Sequence, residues 1–332
     1  MPKYPTVNFI GNKEKVVDWI IEELPIKKGV VLDLFAGGCS VSYALKQNGF
    51  KVISNDILYS NYVLSKAIIE NNKVILHEND LDIKIPANEI KKQYKKIESL
   101  SNRLYHQYEV EELAKLILIS NRLKGYKKYI YLALLRRAMI RKLPYSRMNV
   151  IWREILRFRD EELSYKLYKR RRAYHNKTFE FHIKDNMDEY NDAVFGGKQC
   201  KAYNEDAIEL SKKITRVDAI YIDPPYPGTM NNYDIFYGDY DKAVKSLKKH
   251  TDFTSQESFI DNIKKIVELY KKKTKFFIFS LNTNTKPSIE ELKDALKEYG
   301  SCTIKKKEHC YKVTSKQMKH KNSELLLILK IR

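Results

Sequence analysis

Runs of apolar residues alternate with amphipathic segments over the first seventy residues. Residues 29–35 form a mainly apolar run that ends at glycines, which is typical of a strand buried on both faces. Residues 41–47 and 61–71 have helical periodicity, and residues 51–56 fit a second strand. This β-α-β-α order predicts an open α/β fold with a mostly parallel sheet.

The same alternation returns near residue 200 after a long helical stretch. Helical segments at 111–118, 129–140 and 150–156 dominate the interval, with one strand-like segment at 178–183. The sequence therefore predicts one α/β domain, made of residues 1–78 and 196–332, interrupted by an inserted helical domain at 79–195. The later elements predicted are strands at 200–203, 217–222 and 275–281, helices at 207–214, 255–270 and 288–299, and a closing antiparallel pair at 302–307 and 324–331.

Positive charge is concentrated in the insertion. The 332 residues include 62 Lys and Arg against 42 Asp and Glu, a net charge of +20. The segment 122–184 alone has 19 basic and 5 acidic residues, which indicates a polyanionic partner. A solvated helical face remains the alternative, because Glu161 and Glu162 interrupt the basic run. The residues predicted to contact nucleic acid are Arg136, Arg137, Arg141, Lys142, Tyr145, Arg147, Arg153, Lys169, Arg170, Arg171 and Arg172.

Other features of the composition exclude several classes of protein. The four cysteines are far apart, with neither a Cys-x-x-Cys pair nor a histidine spaced to complete a zinc site. We therefore expect no metal and no disulfide framework. No apolar run of 18 residues occurs, and the N-terminus lacks a signal core, so a cytoplasmic protein is expected.

Asp223-Pro224-Pro225-Tyr226 directly follows the predicted strand 217–222. The prolines fix the backbone and remove two N–H groups, while their carbonyls remain available. The Asp223 carboxylate and the Pro224 carbonyl could accept hydrogen bonds from an exocyclic amine, and Tyr226 could stack on its ring. An ordinary Pro-Pro turn after a strand is the alternative.

Three further acids follow predicted strands. Asp33 begins the glycine turn Asp33-Leu34-Phe35-Ala36-Gly37-Gly38-Cys39-Ser40, and Asp56 ends the next strand. Asp206 precedes a predicted helix. Asp56 and Asp206 could be helix caps, but ligands in open α/β sheets bind beyond the carboxyl ends of the strands. The set therefore predicts a ligand site, with Asp56 placed to bind ribose hydroxyls.

In this order the motifs resemble the Dam-like (D12, α-class) DNA adenine-N6 methyltransferases. Phe9-Ile10-Gly11-Asn12-Lys13 is similar to the aromatic-x-Gly-x-Lys element of that family, and the basic insertion lies where its DNA-recognition domain usually lies. The glycine turn has Ser40 where a third glycine is common. The resemblance implies a Rossmann-like S-adenosylmethionine-dependent methyltransferase sheet, mostly parallel with an antiparallel C-terminal strand, and an inserted, mainly helical recognition domain.

The resemblance also implies roles for individual residues. Lys13 and the glycine turn would face the methionine part of S-adenosylmethionine, Asp56 its ribose and Asp206 its adenine amine, with S-adenosylhomocysteine as product. Asp223, Pro224, Pro225 and Tyr226 would be catalytic and hold the target base. The residues implied to bind the cofactor are Phe9, Gly11, Lys13, Asp33, Phe35, Gly37, Gly38, Ser40, Asp56, Asp206, Ala207 and Asp223.

The function implied is site-specific methylation of adenine N6 in duplex DNA, on a base flipped out of the helix. Such an enzyme would act in the cytoplasm of a bacterial or phage system, as a monomer or weak dimer, with a cognate restriction endonuclease as candidate partner. An RNA base methyltransferase (guanine-N2 or adenine-N6), a cytosine-N4 enzyme and a catalytically silent DNA-binding protein are the alternatives. Residues 227–240, rich in Gly, Asn and Tyr, are expected to form a mobile loop over the base, with a plain surface loop as the alternative.

Overall fold

The computed structural model describes residues 2–169, 171, 173–229, 232–308 and 323–332. These residues form two units, each with its own core. The sheet unit consists of residues 11–57, 197–233 and 248–332, and the helical unit of residues 2–10, 58–196 and 234–247. The predicted insertion, residues 79–195, lies within the helical unit.

The described residues of the sheet unit form one seven-stranded sheet in the order β3-β2-β1-β4-β5-β7-β6. Strands β1 to β5 pair in parallel, whereas β7 is antiparallel to both β5 and β6. This arrangement confirms the predicted fold class, including the antiparallel C-terminal strand. The strands are β1 (Val30–Asp33), β2 (Lys51–Asn55), β3 (Lys201–Tyr203), β4 (Ala219–Ile222), β5 (Phe276–Asn282), β6 (Gly300–Glu308) and β7 (Ser323–Ile331).

Helices connect the strands and build the helical unit. A π-helical segment, Ser65–Glu70, extends α3, and short 3₁₀ segments cover Glu78–Leu81, Glu98–Leu100, Pro144–Ser146, Ala173–Asn176 and Glu209–Lys213. The α-helices are α1 (Val17–Glu22), α2 (Ser40–Gln47), α3 (Tyr59–Leu64), α4 (Ala87–Ile97), α5 (Gln107–Arg122), α6 (Gly125–Arg141), α7 (Trp152–Arg159), α8 (Glu161–Tyr168), α9 (Phe179–Asp185), α10 (Met187–Asp192), α11 (Tyr233–Val244), α12 (Gln256–Tyr270) and α13 (Ile289–Leu296).

The core of the sheet unit lies on the apolar strands that the sequence pattern identified. Leu32 of β1, Ile220 of β4 and Phe277 of β5 are fully buried in one cluster, to which Phe259 of α12 also belongs. Apolar, β-branched and aromatic side chains pack well on a pleated surface covered by helices. The packed sheet therefore positions the residues that follow the ends of its strands.

Helix α6 lies at the centre of the helical unit. Every residue from Ile130 to Ile140 is buried, and α6 packs against α3, α5, α9 and α10. A helix that is apolar around most of its circumference is expected to be surrounded by protein. Because α6 is central, basic residues near its C-terminal end are buried as well.

Three predictions of local structure were wrong. Residues 178–183 belong to a helix, because the Thr178 side chain accepts a hydrogen bond from the Phe181 amide and so caps α9. The segment predicted as a loop at 227–240 becomes helical at Tyr233, where α11 begins. Within the predicted helix 207–214, only Glu209–Lys213 is helical, and it is a 3₁₀ segment instead of an α-helix. Among the described residues, no helix is long and apolar enough to cross a membrane.

Candidate active site at the carboxyl edge of the sheet

Four acids predicted from the sequence follow four adjacent strands. Asp206, Asp56, Asp33 and Asp223 lie at or just beyond the carboxyl ends of β3, β2, β1 and β4, which is also their order across the sheet. The parallel strands β2 and β3 are added on one side of β1, whereas β4 and β5 are added on the other. The edge beyond β1 and β4 is therefore the switch point at which α/β sheets bind ligands. The topology brings the four acids to one edge.

Asp223 belongs to a cluster of charges in which Glu324 is fully buried and Lys13 and Asp223 are partly exposed. The Nζ atom of Lys13 lies 3.2 Å from Asp223 Oδ2 and 3.1 Å from Glu324 Oε1. The Ser280 hydroxyl donates to the same Glu324 oxygen at 2.9 Å. No hydrogen-bond partner of Asp223 Oδ1 lies among the described residues. One carboxylate oxygen is thus held by an ammonium while the other can accept a donor from a ligand.

The electrostatics of the edge favour proton uptake by two of its acids. Burial raises the pKa of Asp223 to about 6, with Lys13 acting against the rise and Glu324 adding to it. Burial likewise raises the pKa of Asp33 to about 7; the hydrogen bond from Ser42 opposes this, and Asp223 and Asp56 reinforce it. Asp33 Oδ1 is buried without a partner among the described residues. Both carboxylates would be stabilised by a cationic ligand or an amine donor.

The glycine turn is tied to Asp56 and to Lys13. Gly37, in the left-handed region at φ 50°, donates its backbone N–H to Asp56 Oδ2 at 2.8 Å. The Lys13 amide donates to the Ser40 hydroxyl at 3.2 Å. Gly11 has φ +84°, and a Cβ there would lie 2.8 Å from the Tyr233 hydroxyl. The backbone at the carboxyl edge therefore needs the glycines that the motifs contain.

Asp206 acts as a cap, the alternative that the sequence left open. Its Oδ1 accepts the amides of Ile208 and Glu209, and its Oδ2 accepts the amide of Thr251 at 2.7 Å. The neighbouring Ala207 is buried, and its carbonyl accepts the Tyr270 hydroxyl. Both residues shape the edge beyond β3.

The aromatic residues of the prediction lie in different surroundings. Phe35 is half-buried and its ring meets the edge of Phe253 at 5.1 Å. Tyr226 is only 4% exposed, and its ring packs 5.2 Å from Phe259. The expectation that Tyr226 offers a free face for a base needs correction, because the core occupies that ring. Phe9 belongs to the helical unit and stacks on Tyr237.

Sequence reasoning missed Glu324. The residue is fully buried near the start of β7, about a hundred residues after Asp223 along the chain. The available signal was a single acid directly before the apolar run Leu325–Leu329, since a charge entering a buried strand needs a partner. The register of β7 on β5 supplies that partner by setting Glu324 opposite Asn282, close to Lys13.

Three of the predicted DNA contacts are buried inside the helical unit and need correction. Arg136 donates to the Val7 carbonyl, and Arg137 bonds to the Asn186 side chain. Lys142 forms a buried ion pair with Glu109 at 2.7 Å. They are buried because α6 and its C-terminal end are surrounded by other helices. These cations stabilise the unit and cannot meet phosphates.

Other predicted contacts lie on the surface of the helical unit. Arg153, Lys169 and Arg171 are exposed, as is Tyr145, whose φ of 61° is unusual for a residue with a side chain. Arg147 and Arg141 are half-buried, with guanidinium groups over the rings of Tyr145 and Tyr174 respectively. Arg170 and Arg172 lie outside the described residues.

A sequence model described as D12 class N6 adenine-specific DNA methyltransferase matches residues 9–286. The chain belongs to this family. The match confirms the resemblance drawn from the motifs, and the chain is an adenine-specific DNA methyltransferase. A methyl donor and a DNA substrate follow from the family.

Individual relatives agree with the family. The chain is 43% identical to the type II methyltransferase M2.HphI of Haemophilus parahaemolyticus, over 100% of this chain and 99% of the relative. It is 28% identical to the type II methyltransferase M.FokI of Planomicrobium okeanokoites, over 69% of the chain and 36% of the relative. It is 27% identical to the modification methylase StsI of Streptococcus sanguinis, over 66% of the chain and 34% of the relative. The chain thus spans about a third of the two longer relatives.

Proposed function

We propose that this adenine-specific DNA methyltransferase uses S-adenosylmethionine, binds it along the carboxyl edge of the sheet, and places the target amine against Asp223. The observation that carries the proposal is the Asp223 carboxylate, with Oδ2 held by Lys13 and Oδ1 left to accept a donor. The glycine turn, the adjacent acids and the raised pKa of Asp223 all support it.

The donor set of the edge fits a cationic sulfonium cofactor. Asp33 is buried with one unpartnered oxygen, and a positive ligand nearby would relieve the cost of its burial. Gly37, Gly38 and Ser40 would provide the close backbone approach, Asp56 would bind ribose hydroxyls, and Phe35 would pack against the ring. When bound, the sulfonium supplies an activated methyl group, so the protein needs neither a metal nor a covalent intermediate.

The acceptor side works through two hydrogen-bond acceptors. Asp223 Oδ1 and the Pro224 carbonyl would each accept one N–H of the adenine amine, which turns the nitrogen lone pair away from conjugation with the ring. Transfer makes one amine proton acidic, and the Asp223 carboxylate is the nearest base to take it. Because Tyr226 is buried against Phe259, its ring would support the Pro224-Pro225 turn from below and would stack on a base only after turning outward.

The helical unit is proposed to recognise the duplex. Its exposed cations, among them Arg153, Lys169 and Arg171, would contact phosphates and supply affinity that depends on salt. The exposed Tyr145, with its left-handed backbone, presents an aromatic ring beside Arg147. The target adenine would have to leave the helix to reach Asp223.

We further propose that the protein is the modification enzyme of a restriction–modification system and acts in the cytoplasm with a cognate endonuclease. The relatives, two type II methyltransferases and a modification methylase, support this role. A monomer is sufficient for the proposed chemistry, since the acids of the site come from one sheet.

Methyl transfer from labelled S-adenosylmethionine to unmethylated plasmid DNA, to RNA and to protein tests the proposal. We expect label in DNA only, recovered as N6-methyldeoxyadenosine at one short sequence. Label in RNA, or an enzyme that does not bind S-adenosylmethionine, would overturn it. Digestion of the methylated plasmid by an endonuclease that cuts at that sequence should then be blocked.

A further inference from the structure

Glu324 is a buried carboxylate that no motif of the site includes. It lies on β7, the antiparallel strand, and its side chain is fully shielded from solvent. Its Oε1 atom meets the Lys13 ammonium at 3.1 Å and accepts the Ser280 hydroxyl at 2.9 Å. An isolated carboxylate in such a place would be strongly unfavourable, so the ammonium is its necessary counter-charge.

Lys13 is therefore shared between two acids. Its Nζ atom is almost equidistant from Asp223 Oδ2, at 3.2 Å, and from Glu324 Oε1, at 3.1 Å. Its backbone is also anchored, because the amide donates to Ser40 at the start of α2. Because the Lys13 ammonium contacts both carboxylates, its charge is divided between Asp223 and Glu324.

We propose that Glu324 is a positioning residue of the methyl-transfer reaction: it holds the Lys13 ammonium between the two carboxylates and so leaves Asp223 basic enough to accept the amine proton. Without Glu324, the ammonium would pair with Asp223 alone, and the carboxylate would become a weaker acceptor. The inference rests on the proposed role of Asp223 and deepens it.

Among the described residues, the titratable groups that face Asp223 come from several elements. They are Lys13 before α1, Asp33 of β1, Tyr221 of β4, Tyr226 after β4 and Glu324 of β7. Glu324 in turn contacts Lys13 and Ser280. Lys307 lies opposite Glu324 on β6, the edge strand that pairs with β7. Of these, Lys13 lowers the pKa of Asp223 whereas Glu324 raises it. The two residues should therefore shift the acidity of Asp223 in opposite directions.

Single-turnover methyl transfer by the full chain, measured against pH at saturating S-adenosylmethionine and DNA, tests the inference. Glu324→Gln keeps the size of the side chain and removes its charge, so the acidic midpoint of the rate should fall by about one pH unit. Lys13→Gln should raise the midpoint. Asp218→Asn is the matched control: it removes a charge that holds the Val30 amide at the opposite end of the strands, and it should leave the midpoint unchanged.

Opposite shifts from Glu324→Gln and Lys13→Gln would support the inference, since neither a folding defect nor weaker binding predicts them. A Glu324→Gln midpoint equal to that of the wild type, or raised, would overturn it. If Asp223→Ala retains activity, the proposed role of Asp223 fails as well. An inactive Asp223→Ala with an unmoved Glu324→Gln midpoint refutes only the inference.

A measurement on the wild-type protein covers the case in which Glu324→Gln does not fold. In protein labelled with ¹³C at glutamate side-chain carboxyls, the Glu324 resonance should show an inflection at the pH where Asp223 titrates, because the two share one ammonium. Asp223→Asn should abolish that inflection. A Glu324 resonance without it would overturn the inference.

Discussion

Two buried carboxylates, Asp33 in the sheet unit and Glu109 in the helical unit, are shielded almost equally from water, but their pKa values are shifted in opposite directions. Burial raises the pKa of Asp33 to about 7, because the Ser42 hydroxyl is too weak to compensate. Burial acts on Glu109 in the same sense, but ion pairs with Lys142 and Arg159 outweigh it and hold its pKa below the usual range. The presence of oppositely charged partners, and not the degree of burial, determines whether the pKa is raised or lowered.

Buried charges stabilise the fold in the helical unit, whereas those at the carboxyl edge of the sheet remain able to bind a ligand or a proton. In the helical unit, Lys142 and Arg159 both pair with the buried Glu109 carboxylate, and Arg136 donates to the Val7 carbonyl. These buried charges stabilise the unit. At the carboxyl edge, Asp33 has a buried oxygen without a partner among the described residues, and Asp223 shares the Lys13 ammonium with Glu324. Incomplete compensation costs stability and leaves capacity for a ligand or a proton.

Asp223→Ala should have the largest effect. Loss of the acceptor and proton-accepting carboxylate is expected to slow methyl transfer by about 10³-fold or more while leaving the affinity for S-adenosylmethionine within about threefold. Single-turnover assays and equilibrium binding of the cofactor give both numbers. Near-normal turnover would place the chemistry elsewhere on the edge.

Lys142→Ala should reveal the structural role of charge in the helical unit. Removing one partner leaves Glu109 buried with Arg159 alone, so the free energy of unfolding should fall by about 3–5 kcal/mol. Urea denaturation measures the loss, and the exposed Lys166→Ala in α8 serves as the control, with a change within about 0.5 kcal/mol. An equally small loss for Lys142→Ala would remove the contrast between the two regions.

Asp33→Asn and Glu109→Gln should have opposite effects on stability as a function of pH. Because the folded pKa of Asp33 is raised, its cost appears as pH rises from about 4 and is complete above about 7. Asp33→Asn should therefore stabilise the cofactor-free protein by roughly 1–3 kcal/mol at alkaline pH. At a pH near the ordinary pKa of an Asp, the substitution should not change the free energy of unfolding.

Glu109 has a lowered pKa, so its stabilising effect is present at neutral pH and is lost on acidification. Glu109→Gln should destabilise the protein at pH 8 and do so less as the pH falls. Thermal unfolding across pH follows both variants. Parallel trends in the two variants would mean that partners do not determine the difference between the two carboxylates.

Replacing a single exposed cation of the helical unit should have the smallest effect of the changes considered. Arg153→Ala and Arg171→Ala are each expected to weaken binding to any duplex and to reduce the slope of log K against log salt by about 1. Lys265→Ala and Lys272→Ala, exposed on and just beyond α12 of the sheet unit, are the matched controls. A slope that stays the same in the Arg153 and Arg171 variants would exclude this surface from phosphate contact.

Much of the sheet and its edge could be predicted because both follow from local patterns. Apolar runs identify β1 and β4, and the acids beyond them are adjacent in sequence to those runs. Charge in the insertion was harder, since the number of cations does not tell which face of α6 is covered: Arg136 and Arg137 look like surface residues until other helices surround them. Glu324 depends on the antiparallel register of β7, which only the assembled sheet defines.

The dependence of methyl transfer on pH in the wild-type enzyme tests the central claim most directly. If Asp223 is the poorly compensated acceptor, the single-turnover rate should fall on acidification with a midpoint near the pKa of about 6 that burial gives this carboxyl. A rate that stays constant down to about 4, the ordinary range of an Asp, would contradict the account.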